Sequence, residues 1–161
     1  YGNNNYYCQY NQVSWLDWGY LENNRELFEF FRFMIDYRKK HPIIRRKLPD
    51  AVCGMGPIHA HSALADVLNV PRDARTFSIG FAGYDKEKGK DDLVYVSVNT
   101  HWEDVKITLP HLENMAAWHL SVNTYGDWEG RYCYEEGSEV RIDGEFVMRP
   151  RSVAVFTGRA F

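Results

Sequence analysis

From Phe77 onward the chain repeats with a period of two, and no helical stretch interrupts it. Phe77, Ile79 and Phe81 alternate with Ser78 and Gly80. Leu93, Tyr95 and Ser97 alternate with Val94, Val96 and Val98, so this strand is expected to be buried on both faces. Val105, Ile107 and Leu109 form the next apolar row, then Trp118, Leu120 and Val122, then Val140 and Ile142. Asp143-Gly144 reads as a tight hairpin turn, followed by Phe146 and Met148 and finally by Val153 and Val155. Turn-rich segments at 84–92, 123–130 and 135–138 punctuate the strands. Short strands with no crossover helices predict a mainly β fold, an antiparallel β-sandwich.

The front of the chain obeys a different rule. Residues 1–23 are loop-like, rich in Asn, Tyr and Gly. A long helix follows over NRELFEFFRFMIDYRKKH, with Asn23 or Asn24 as N-cap, Glu26 in the first turn, and Lys39, Lys40 and His41 in the last. Pro42 stops it. Leu27, Phe28, Phe31, Met34 and Ile35 make one apolar row; Phe30, Phe33 and Tyr37 make a second. Two rows predict a helix covered on more than one side, and a chain that loses stability when one cover is missing. Residues 43–75 carry no clear period.

With 161 residues and a net charge of −3, the chain can hold a real core and lacks the basic excess that phosphate backbones demand, so nucleic acid is not an expected partner. No apolar run reaches membrane-spanning length, so no membrane partner is expected either. Cys8, Cys53 and Cys133 are odd in number and far apart, which favours a reducing, cytoplasmic setting over a disulfide framework. The chain opens on Tyr1, not Met, and reads as a piece whose natural N-terminus lies upstream.

Candidate chemistry is sparse. GNNNYYCQYNQVSWLDW concentrates amides, which pair with sugar hydroxyls, and rings, which stack on pyranose faces; Asp17 adds an acceptor. The structural alternative is that Trp15, Leu16 and Trp18 anchor a core while the asparagines make turns. His59-Ala60-His61 puts two imidazoles on one side of a strand, the start of a metal site or two ordinary strand residues. YDKEKGKDD holds four acids among lysines, a poor cation loop and a natural solvated hairpin tip. Arg45-Arg46-Lys47 offers an anion site or a cover for helix-terminal carbonyls. Trp102 is a binding platform or a packed ring. Nucleophile elbow, phosphate loop and HExxH are missing from the sequence, so neither cofactor nor metal is expected.

The opening stretch resembles the GNNNxYCQDNExxWxDW segment that follows the eighth barrel strand in glycogen-debranching, isoamylase-like enzymes of glycoside hydrolase family 13. The likeness continues through LFEFFRFMIDYRKKHPIIRR, YVSVNTHWEDVKITLP (the family's YVxxNxHWExxxFxLP), AWHLSVNT and RPRSVAVFTG, in order along nearly the whole chain. The resemblance implies that residues 1–47 are the last loop and helix of a (β/α)8 catalytic barrel and that residues 48–161 are the C-terminal β-sandwich domain. It implies substrate contacts for Asn3, Asn4, Asn5, Tyr7, Cys8, Gln9, Asn11 and Trp15, on the barrel face where such enzymes keep their active sites. The family cleaves α-1,6 branch linkages of glycogen and starch with retention, using carboxylates that lie on strands upstream of Tyr1. The implied role of this chain is therefore non-catalytic. Its partners would be the remainder of the barrel and, in the parent, α-glucan. Tyr10 and Gln12 stand where the family commonly has acids, a departure inside the subsite loop. Two alternatives are an independent α-glucan-binding module built on Trp102, Trp118 or Trp128, and a pure assembly domain.

Overall fold

The computed structural model describes residues 7, 10–12, 14–65, 69–112, 116–127 and 129–159. Two helices, α1 (Gly19–Asn23) and α2 (Arg25–Lys40), precede a 3-10 turn over Pro42–Ile44. Among the described residues eight strands follow: β1 (Ile58–His61), β2 (Thr76–Asp85), β3 (Lys90–Asn99), β4 (Val105–Thr108), β5 (Ala117–Asn123), β6 (Val140–Ile142), β7 (Glu145–Met148) and β8 (Ser152–Arg159). Six of them form one sheet in the order β1-β2-β3-β8-β5-β6, and β4 and β7 form a second; every pairing is antiparallel. The expected antiparallel sandwich with a leading helix is the fold observed. α1 and β1 arise in segments where no regular element is expected from the sequence.

Alternation on the central strands feeds two cores at once. Leu93 and Tyr95 of β3 and Ala154 and Phe156 of β8 point between the sheets, where Ile107 and Met148 meet them from β4 and β7. Val94 and Val155 point the other way, under α2. That second face is closed by Phe30, Phe33, Met34 and Tyr37 of the helix and by Ile43 and Leu48 after it. Gly83 is held to its size here, because a Cβ would stand 2.7 Å from the Leu48 Cβ and 2.8 Å from Ile43 Cδ1.

Two strand details depart from the sequence reading. Trp118, Leu120 and Val122 do not share a face. A bulge between Leu120 and Val122 inserts Ser121, so Trp118 and Leu120 enter the inter-sheet core while Val122 turns under the helix. Asp143-Gly144 does not close a hairpin either. β6 pairs with β5 and β7 pairs with β4, so the turn carries the chain from one sheet to the other. Gly144 takes φ 77°, and its carbonyl accepts from Leu109 N at 2.8 Å. The turn chemistry is what the sequence announces; the partner of each strand is decided by packing.

The end of α2 is tied to β3 by one side chain. His41 leaves the helix, and its Nδ1 lies 2.6 Å from Asp92 Oδ1, while Ile43 N donates to Asp92 Oδ2 at 3.0 Å. At the front of α2 the expected N-cap differs in detail. Asn24 occupies the position, but its side chain caps no helix N–H and instead donates to Tyr20 O at 3.2 Å.

Candidate functional site

Three of the eight loop residues with implied substrate contacts, Tyr7, Asn11 and Trp15, fall among the described residues; Asn3, Asn4, Asn5, Cys8 and Gln9 lie outside them. The structure brings Asn11 and Trp15 into one tight turn. The amides of Ser14 and Trp15 donate to Asn11 O at 2.9 and 3.0 Å, and Ser14 Oγ returns a bond to the same carbonyl at 3.0 Å. Tyr10 and Trp15 meet edge to face at 5.8 Å. Asp17 Oδ1 accepts from Gly19 N at 2.9 Å, an acceptor engaged in starting α1. Trp15, Leu16 and Trp18 are exposed, so the alternative that they anchor a core does not hold in this chain.

Helix α2 also carries exposed apolar residues. Leu27, Phe28, Phe31 and Ile35 recur at helical spacing and remain exposed, Phe31 at 58%. Phe30, Phe33 and Tyr37 lie on the sheet side. The first row therefore splits: Met34 packs with Phe30, Phe33 and Tyr37 against the sheet, while Leu27, Phe28, Phe31 and Ile35 stay uncovered. The expected cover on more than one side is found on one side only among the described residues. A contiguous uncovered apolar stripe on a helix is a feature of contact surfaces.

The remaining motifs resolve mostly as structure. His59 and His61 project from β1 towards the inter-sheet core, their rings perpendicular and 4.7 Å apart, with Tyr95 beside both. His59 lies over Gly80, where any Cβ would stand 2.3 Å from the ring. Among the described residues no group of three or more His, Cys, Asp or Glu is placed to hold a metal. Burial holds the His59 pKa below its ordinary value, and the neighbouring His61 pushes the same way. The unfolded chain then binds a proton that the folded one resists. Stability is full above the ordinary histidine value of about 6.5 and falls as the pH drops below it. Melting the chain between pH 7.5 and 5 is expected to show this decline, and His59→Leu is expected to flatten it.

The acids of YDKEKGKDD are neither cation ligands nor mere solvated tip. Asp85 Oδ1 accepts from Glu87 N at 3.0 Å, Asp91 takes the amides of Val52 and Cys53 at 2.8 Å each, and Asp92 holds the helix exit. The Asp85 contact is local, but only the long-range fold reveals the backbone partners of Asp91 and Asp92, which lie 38 to 49 positions away in sequence. Arg45 donates to Lys39 O at 3.2 Å, covering a helix-terminal carbonyl, and Arg46 pairs with Glu87 at 3.2 Å. Of the tryptophans considered for a binding module, neither described one supplies a bare platform. Trp118 is buried and donates to Pro110 O at 2.7 Å. Trp102 is exposed, but His101 stacks on it at 4.3 Å and the Arg75 guanidinium lies 4.7 Å from its ring centre. Trp128 lies outside the described residues.

Known proteins match the chain in both sequence and fold. It is 28% identical to the glycogen operon protein GlgX homologue of Mycobacterium tuberculosis, over 69% of this chain and 18% of that protein. It is 26% identical to the isoamylase of Pseudomonas amyloderamosa, over 88% of this chain and 18% of that protein. The solved pullulanase type I of Bacillus subtilis, complexed with maltose, superposes with a TM-score of 0.55 at 17% identity, over 88% of this chain and 17% of that one. No family model matches. The chain thus spans less than a fifth of the length of the curated relatives it matches. It resembles glycogen-debranching and isoamylase-type enzymes, as its motifs imply, and the likeness is consistent with a C-terminal portion of such an enzyme.

Proposed function

We propose that this chain is the C-terminal part of a debranching α-glucan hydrolase, acting on α-1,6 linkages of glycogen or starch, and that its own role is non-catalytic. Residues 1–47 belong to the barrel's last loop and helix and residues 48–161 to the β-sandwich that closes over it. The observation that carries this reading is the two-sided helix. Phe30, Phe33 and Tyr37 seal the sandwich, while Leu27, Phe28, Phe31 and Ile35 stay uncovered beside an exposed aromatic loop. A chain selected to stand alone gains nothing from that second row; a chain that seats a barrel needs it. The loop residues Tyr7, Asn11 and Trp15 then lie at the substrate face of the assembled enzyme, with α-glucan as ligand. The setting is the cytoplasm, in keeping with unpaired cysteines. Among the described residues no helix is long and apolar enough to cross a membrane.

Incubated alone with branched α-glucan, the chain is expected to release no reducing ends above blank. Turnover by the chain alone would overturn the proposal, as would an upstream coding region without barrel strands carrying spaced acids. The uncovered row makes a second prediction. Phe31→Ala is expected to change the stability of the chain by less than about 0.5 kcal/mol, the usual range for exposed positions. Added to the rest of the enzyme, the same variant is expected to assemble more weakly. A large drop in the variant's own melting temperature would show that the row is already covered in the chain.

A further inference from the structure

Helix α2 and the segment after β5 stand apart, leaving a groove of about 1080 Å³ between them. Its chemistry differs from that of the uncovered stripe. On the helix wall, Phe30 and Phe33 present half-buried rings, and Glu29 pairs with Arg32 at 2.6 Å. On the facing wall stand the half-buried Tyr132 and the Arg159 guanidinium, which holds Glu136 at 3.2 Å and also Glu139. Tyr37, Thr157 and Ser121 line the groove too, as a chain of hydroxyls with spacings of 2.8 and 2.7 Å.

Two kinds of occupant compete for such a space. An apolar helix from the same enzyme would strip water from Glu29, Arg32 and Glu136, and give no hydrogen bond in return. An oligosaccharide returns those bonds. Its hydroxyls donate to carboxylates and accept from guanidinium groups, and its C–H faces lie on aromatic rings. The volume lies just above the roughly 300–1,000 Å³ of ordinary ligand pockets, room for several linked sugar rings. The groove's preference for a hydroxylated chain follows from its walls alone; the choice of glucan rests on the proposed function.

We propose that this groove binds a linear α-glucan segment, with Tyr132, Phe30 and Phe33 as ring contacts and the Glu29–Arg32 and Glu136–Arg159 pairs as partners for hydroxyls. The test is calorimetric titration of the chain with maltohexaose, with cellohexaose as the control of equal length. Maltohexaose is expected to bind with Kd of about 0.1–1 mM, and cellohexaose at least about tenfold more weakly. Tyr132→Ala is expected to weaken binding about tenfold. Arg32→Ala, at an exposed helix position that does not threaten the fold, is expected to weaken it about threefold to tenfold. Phe31→Ala, on the uncovered stripe, is expected to leave it unchanged. No binding of maltohexaose at about 10 mM overturns the inference. So does binding that survives both groove variants, binding abolished by Trp15→Ala alone, or equal binding of the two sugars. The titration needs no barrel. If the parent proves to be a debranching enzyme and the chain binds no glucan, only the groove assignment falls.

Discussion

Truncating Phe156 to alanine is expected to cost about 3–5 kcal/mol, the range for removing a buried aromatic ring. The ring has no exposed surface and sits where β8 passes between β3 and β5. It meets Phe146 edge to face at 5.2 Å and Tyr95 at 6.5 Å, so it joins the large sheet to the small one. Domains of this size hold about 5–15 kcal/mol in total, so the loss takes a large share. At about 2–4 °C per kcal/mol the melting temperature is expected to fall by roughly 10 °C. Phe156→Leu keeps most of the volume and is expected to cost less than about 2 kcal/mol. A thermal melt followed by circular dichroism measures both. A Phe156→Ala variant that melts within a degree or two of the parent chain would mean that the two sheets do not pack through this ring.

Asp92→Ala is expected to act on a different link, the one between helix and sheet. Asp92 is 5% exposed, and its two oxygens serve the His41 ring and the Ile43 amide. Alanine leaves both groups without their acceptor. Each orphaned buried donor costs about 1–3 kcal/mol, so a combined loss of about 3 kcal/mol is expected. Local and global effects separate cleanly. Amide exchange is expected to quicken at Ile43 and through the last turn of α2, while the central strands keep their relative protection. Asp92→Asn retains one carbonyl acceptor and is expected to lose less. Uniform exchange acceleration across the whole chain would instead assign Asp92 to the general core.

Central strand β3 was plain from the sequence because its pattern is locally complete. A run such as Leu93 to Val98, apolar on both sides, has only one comfortable place, the middle of a covered sheet. The helix was equally plain, down to its stop at Pro42. In the aromatic loop the described members Asn11 and Trp15 share a turn. Where the reading failed, the missing information was a partner. Asp143-Gly144 names a turn but not which strands it joins. Ser121 looks like any alternating polar residue until its neighbour β8 shows that it is one residue too many. Asp91 and Asp92 read as surface charge, yet their oxygens hold backbone amides from segments 38 to 49 residues earlier.

Sequence alone determined the class of fold, the extent and doubled apolar character of the helix, and the likeness to debranching enzymes. Those properties live in local periodicity and in contiguous motifs, which a linear string preserves. Tertiary structure decided which row of the helix is sealed and which is left open, which strands meet across the corner at Gly144, and where a groove remains beside α2. Each of these depends on which surfaces come together once the chain has closed on itself, and burial is a property of pairs of surfaces that neither segment carries alone.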